Sequence, residues 1–248
     1  MATRIPALLN PPIAFAHRGA RAHARENTLE AFTLAQQMGA TGIETDAWIT
    51  SDGAIVLNHD GAVGGLPTMS TRRLFGRPIA RTPRARLPGH IPTIDEYYEN
   101  CGTGLPLSVD VKDDAAFEGL LAAARAHRAA ERLWVCHHRT EVLSEWRAAA
   151  PEVKLVHSTR LDRLPRGPER HGADLAAAGI DVVNLHREGW NGGLTTLYHR
   201  FGVLAFGWDA QQARHIAELV DAGIDGVYSD HVDRMAEVLD RFAGNAAD

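Results

Sequence analysis

Cysteine is scarce in this 248-residue chain, with only Cys101 and Cys136. They share no CxxC spacing, which excludes a disulfide framework and a zinc knuckle and suits two thiols in a reducing compartment. Long apolar runs are also missing. The N-terminal run at 5–9 is interrupted by Pro6 and ends at Asn10-Pro11-Pro12, too short for a signal peptide. No run approaches the roughly twenty residues of a membrane span. A cytoplasmic protein with no integral membrane segment is expected. Excess positive charge is lacking too: 26 Lys+Arg against 31 Asp+Glu give a net charge of -5, which argues against a nucleic-acid partner. No GxGxxG follows the first apolar run, which disfavours a dinucleotide-binding open sheet. With 45% hydrophobic and 23% charged residues, the chain can bury a sizeable core, as two small domains or as one large α/β barrel.

Short apolar runs alternate with amphipathic stretches. Runs start at Ile13, Thr41, Leu105, Leu133, Val153, Asp181, Val203 and Gly226. Each is followed by helical spacing, as in Phe117, Leu120, Leu121 and Ala124. An extra run at 54–57, after the turn signal Asp52-Gly53, extends the second unit or hairpins onto it. Eight such units predict an α/β fold, a single (β/α)8 TIM barrel over residues 1–248, with a doubly wound sheet as the competitor. Asn27, with Glu30 three residues on, predicts a capping box for a helix that Gly39 stops. Between 61 and 90 the periodicity disappears. Six arginines (Arg72, Arg73, Arg77, Arg81, Arg84, Arg86) fall there with no acidic residue from Arg72 to Arg86. Such a loop is either solvated or a lid that attracts anions.

The ionisable residues cluster at the ends of the early runs: His17-Arg18-Gly19, Glu44 and Asp46, His59-Asp60, then Asp110 and Lys112. In a barrel these ends lie on one face, where catalytic groups sit. Glu44 and Asp46 are two apart and point the same way on a strand, and Asp110 and Lys112 repeat that spacing. Converging carboxylates need a cation, and an all-oxygen set suits a divalent metal, Mg²⁺ or Ca²⁺. The alternative for Glu44 and Asp46 is a strand-end salt bridge with Arg18 or Lys112. Two histidines can share general base and acid duties, and Arg18 offers a fork for a phosphate-like oxyanion. Trp208 is a candidate pocket wall or a core tryptophan. His137, His138, His157, Asn184, His186 and Asp230 also end apolar runs, without a motif that gives them a role. These parts describe metal-assisted phosphoryl chemistry.

The stretches AHRGARAHARENTLEAF, GIETDAWITSDGAIVLNHD, IPTIDE, LSVDVK and AGIDGVYSD resemble, in order, the glycerophosphodiester phosphodiesterase family. The resemblance implies a (β/α)8 fold, a divalent metal, and hydrolysis of small-molecule glycerophosphodiesters to an alcohol and glycerol 3-phosphate. It implies His17 and His59 as catalytic, Arg18 as phosphate contact, and Glu44, Asp46 and Asp110 as metal ligands. Lys112 and Trp208 are expected to bind substrate. The third carboxylate departs from the family's usual Glu. After Asp60 the family's continuation is replaced by Gly61-Ala62-Val63-Gly64-Gly65, and its Trp-Thr-x-Asn by Trp208-Asp209-Ala210-Gln211. His17 is favoured as base and His59 as acid, while direct water attack and a cyclic phosphate intermediate both stay open. Two rival functions remain: a lysophospholipase D and a non-catalytic binder of phosphorylated ligands.

Overall fold

The structure is a computed structural model and describes residues 5–67 and 73–244. The chain opens with β1 (Ile13–His17), α1 (Leu29–Gln37), β2 (Gly42–Ile49) and β3 (Ile55–Leu57). Four two-residue strands follow, β4 (Ala62–Val63), β5 (Leu66–Pro67), β6 (Arg73–Leu74) and β7 (Arg77–Pro78), and then α2 (Ile94–Cys101). Regular alternation continues with β8 (Leu107–Val111), α3 (Ala116–Ala126), β9 (Leu133–His137), α4 (Thr140–Ala149), β10 (Lys154–Ser158) and α5 (Gly167–Ala177). It ends with β11 (Val182–His186), α6 (Gly192–Arg200), β12 (Leu204–Trp208), α7 (Ala213–Asp221), β13 (Gly226–Ser229) and α8 (Val232–Gly244).

Strands β1, β2, β8, β9, β10, β11, β12 and β13 pair in that order, all parallel, and β13 pairs back onto β1. This is the closed eight-stranded barrel that the eight-unit pattern predicts. β3 hairpins antiparallel onto β2, as its turn signal requires.

Period-two alternation splits the strand residues between two cores. Inside the barrel, Phe15, Trp134, Phe206 and Tyr228 pack together, with Phe15 stacked on Tyr228 at 4.8 Å. Room for these rings comes from neighbouring strands. A Cβ on Gly42 would lie 2.6 Å from the Phe15 ring, and one on Gly226 2.7 Å from Phe206. The opposite strand faces carry Ile43, Val109, Leu133, Leu155 and Val227 into the layer under the helices.

Two sequence expectations change here. Asn27 is not the cap of α1. Its φ is 54°, and its side chain turns inward to take a hydrogen bond from Thr45 Oγ1 (2.7 Å) and give one to Asp46 Oδ2 (3.0 Å). Thr28 caps the helix instead, accepting from the Ala31 N–H. The capping box forms at α2, between Thr93 and Glu96. The arginine-rich loop is also more ordered than its lost periodicity implies. Val63, Ile79, Leu87 and Ile91 make a small core with Val56, against which Trp48 packs. Its counter-charges come from outside it: the Arg84 guanidinium meets Glu96 at 3.2 Å, and its N–H donates to Asp52. Arg72 lies outside the described residues.

Candidate active site

Each of the eight barrel strands sends one residue into the C-terminal mouth. His17, Glu44, Asp110, Cys136, Ser158, Asn184, Trp208 and Tyr228, one per strand in order, line a cavity of about 320 Å³. Arg18, Arg21, Asp209, Gln211 and Asp230 complete it from the following loops.

His17 is held at one ring nitrogen. Its Nδ1–H donates to Asp230 Oδ1 at 2.6 Å, leaving Nε2 toward the cavity, 3.8 Å from Glu44 Oε2. Burial alone would lower the pKa of His17, but the Glu44 carboxylate and the Asp230 hydrogen bond outweigh it, and the value is raised. Asp230 is in turn fixed. Its N–H donates to Gln211 Oε1 (2.9 Å), and Arg21 Nη1 reaches its Oδ2 at 3.3 Å.

Arg18 follows β1 with φ 56°, a left-handed conformation that costs a non-glycine residue energy. It turns the backbone N–H onto Glu44 Oε2 at 2.9 Å. The guanidinium meets Glu26 at 3.2 Å and lies 3.1 Å from Asp46 Oδ2, though its Nε–H is not aligned on that oxygen. Glu26 thus anchors both Arg18 and Arg21, which it meets at 2.6 Å.

The carboxylates are not equivalent. Glu44 is buried, and burial pushes its pKa up to about 7, with His17 opposing and Asp46 adding to the rise. Asp46, 1% exposed, is held well below the usual range. Burial acts the other way there, but Lys112 Nζ at 3.0 Å, Arg18 and His59 prevail. Lys112 also binds Asp110, and these two carboxylates keep its ammonium charged against the cost of burial. The salt-bridge alternative for Asp46 is therefore realised, with both cations at once.

The expected metal ligands sit together at the mouth, with Asp46 beside Asp110 across the β2–β8 ladder. Their donor set is all oxygen. Among the described residues no protein donor reaches Glu44 Oε1 or Asp110 Oδ1. Those two free oxygens, one on buried Glu44 and one on partly exposed Asp110, fit a hard divalent cation. Their ligand atoms are not drawn within 4.8 Å of one another, as those of His23, His231 and Asp233 on the rim are.

His59 stands beside this set but outside the cavity lining, its Nδ1 2.9 Å from Asp60 Oδ1. Trp208 lines the cavity in a T-shaped contact with His186, the ring centroids 4.6 Å apart, and among the described residues its buried Nε1 has no partner. Of the strand-end residues without a motif, Asn184 and Asp230 reach the cavity, and the buried Asn184 Oδ1 is unpartnered. His138 and His157 line a second cavity, while His137 is buried against Trp146. Sequence reasoning passed over Arg21, Ser158, Gln211 and Tyr228. For Ser158 and Tyr228 a signal exists, since each stands an even number of residues from an inward strand neighbour, Val156 and Gly226.

Fold and mouth together define a (β/α)8-barrel protein with a charged site at the C-terminal face. The model of the "Glycerophosphoryl diester phosphodiesterase family" matches residues 17–89, which include His17, Arg18, Glu44, Asp46 and His59. A glycerophosphodiester phosphodiesterase of Caldanaerobacter subterraneus is 24% identical over 251 aligned residues, covering 92% of this chain and 97% of that protein. Among solved structures, a glycerophosphodiester phosphodiesterase of Thermotoga maritima superposes with TM-score 0.76 at 20% identity, covering 91% and 98% of the two chains. A phosphodiesterase of Oleispira antarctica, in complex with the product sn-glycerol-3-phosphate, superposes with TM-score 0.78 at 21% identity over 92% and 97%. The chain is thus similar to the glycerophosphoryl diester phosphodiesterase family over residues 17–89, and to one glycerophosphodiester phosphodiesterase along nearly its whole length.

Proposed function

We propose that this protein hydrolyses glycerophosphodiesters to an alcohol and glycerol 3-phosphate by histidine acid–base catalysis with a divalent metal. The observation that carries the reading is the single cavity on which His17, Arg18, Glu44 and Asp110 converge. The product complex of the Oleispira antarctica relative supports the identity of the product.

Glu44, Asp46 and Asp110 would hold Mg²⁺ or Ca²⁺, which when bound supplies positive charge against the phosphoryl oxygens. The chain's own groups do the rest. Asp230 fixes the His17 tautomer, so Nε2 faces the cavity with its lone pair and can take the proton of the attacking hydroxyl. Arg18 offsets charge that builds on the nonbridging oxygens, held in place by Glu26. His59, oriented by Asp60, is the acid for the leaving alkoxide. That role requires its Nε2 to swing toward the mouth. Lys112 and Arg18 keep Asp46 ionised, and Trp208 walls the far side. A cytoplasmic location completes the proposal, supported by two cysteines that stay unpaired. Among the described residues, no helix is long and apolar enough to cross a membrane.

The test is release of glycerol 3-phosphate from a glycerophosphodiester panel before and after EDTA. Activity lost to EDTA and restored by Mg²⁺ or Ca²⁺ is expected. Hydrolysis indifferent to chelation would remove the metal from the reading, and no hydrolysis with metal present would remove the function.

A further inference from the structure

A phosphodiester carries two alcohols, and the mouth offers two unequal spaces for them. The cavity at His17, about 320 Å³, suits a small glycerophosphoryl half. Asp110 and Ser158 also line a neighbouring space of about 270 Å³, which Lys112 and His138 complete. On its other side, sharing Ser158 and His138, lies a cavity of about 670 Å³ over β10, α4 and α5. Ser158 lines all three spaces, and His138 lines the last two. Resting on the hydrolysis proposed above, we propose that this larger cavity holds the leaving alcohol and selects one rich in hydroxyl groups, such as glycerol, a sugar or a cyclitol.

The wall carries the hydroxyls of Thr140, Ser144 and Thr159 together with Glu141 and Arg163, a mixture of donors and acceptors. Among the described residues, no carboxylate comes within 4.0 Å of the Arg163 guanidinium. The neighbouring cations are already paired, Arg139 with Asp114 and Arg166 with Asp174 at 2.6 Å. Arg163 is therefore available to a ligand.

What the wall lacks decides between alcohols. Among the described residues no Trp, Tyr or Phe lines it, so a quaternary ammonium such as choline finds no aromatic face. Leu164, Pro165 and Ala178 are its apolar side chains. Three small patches cannot bury an acyl chain, whose binding depends on removing each methylene from water.

The floor is polar, neutral and set in advance. The His138 carbonyl can only accept, so His157 Nε2–H donates to it at 3.2 Å. His157 Nδ1 then accepts from His171 Nε2–H at 2.9 Å, and His171 Nδ1 accepts from the Tyr198 hydroxyl at 2.8 Å. One carbonyl thus fixes two tautomers and ties β10 to α5 and α6. A hydroxyl-rich ligand meets a surface whose hydrogen bonds need no rearrangement.

The experiment compares kcat/KM for glycerol 3-phosphate release from glycerophosphoglycerol and glycerophosphocholine, in the wild type, Arg163→Ala and Thr159→Val. The wild type should favour glycerophosphoglycerol by about tenfold, the worth of one or two net hydrogen bonds. Each variant should move that ratio toward one, mainly through KM. Equal rates in the wild type, or a preference that neither variant alters, would overturn the subsite while leaving the hydrolysis intact. Release from neither substrate would instead overturn the function on which it rests.

Discussion

Two aspartates five residues apart, Asp225 and Asp230, flank β13 and face opposite ends of the barrel. Asp225, at the N-terminal end, is fully buried and accepts four hydrogen bonds. The N–H groups of Leu8 and Leu9 donate to Oδ1, and those of Ala205 and the His199 ring to Oδ2, at 2.6–2.9 Å. It pins the N-terminal segment across the barrel bottom and leaves nothing unsatisfied. Asp230, at the other end, is partly open and directs a histidine into a cavity. One end of the barrel uses its carboxylates to close the fold. Among the described residues, the other leaves Glu44 Oε1 and Asp110 Oδ1 without a protein donor and Asn184 Oδ1 unpartnered. The buried Asn184 Oδ1 costs stability while it is unpartnered, a cost that a ligand completing the site would offset.

The contrast can be broken most sharply by one substitution at each end. Asp225→Ala should lower unfolding free energy by about 3–5 kcal/mol, because it strands buried donors. Urea denaturation measures this, and a loss below about 1 kcal/mol would contradict the structural role. His17→Ala should leave the urea midpoint near that of the wild type while reducing the chemical rate about 10²–10⁴-fold. Near-normal turnover would remove His17 from the mechanism.

A smaller effect separates positioning from chemistry at the mouth. Asp230→Asn keeps the shape but weakens its hold on the His17 tautomer. We expect a loss on the order of 10²-fold in kcat with little change in KM, less than the roughly 10⁴-fold known for an aspartate that orients a catalytic histidine. A comparable rise in KM would point to substrate binding by Asp230 instead.

The mildest prediction concerns pH. His171 is pushed down to about 4 by burial, with His157 adding to the shift, and burial also lowers His157. In the unfolded chain both titrate near 6.5, so the unfolded state binds protons first as pH falls. Their contribution to stability is complete above about pH 6.5 and declines as pH drops toward 4. Thermal melts across that window should show a shallower slope in His171→Gln than in the wild type. Parallel slopes would show that the pair does not titrate on unfolding.

The barrel was legible because each strand is an apolar run that a polar residue ends, and each helix repeats at three and four. Observed starts such as Gly42, Leu107, Lys154 and Leu204 lie within two residues of the expected ones. The charged half of the mouth was legible for a related reason: His17, Glu44, Asp46 and Asp110 end apolar runs, and in a barrel those ends gather on one face. Asn27 misled because Asn caps helices often and here is drawn instead to Asp46, a partner fixed only when β2 is in place. The loop at 61–90 read as irregular since its small core, Ile79 and Leu87 against Val56, depends on contacts across the fold. Gln211 and Arg21 act on Asp230 across long loops of sequence, and no local pattern announces such a contact.

The most direct test is a crystal structure with Mg²⁺ and sn-glycerol 3-phosphate. The account predicts the cation on Glu44, Asp46 and Asp110, and the phosphate within hydrogen-bond reach of Arg18 and His17 Nε2. A phosphate bound elsewhere, or a cation seated only at His23, His231 and Asp233, would contradict it.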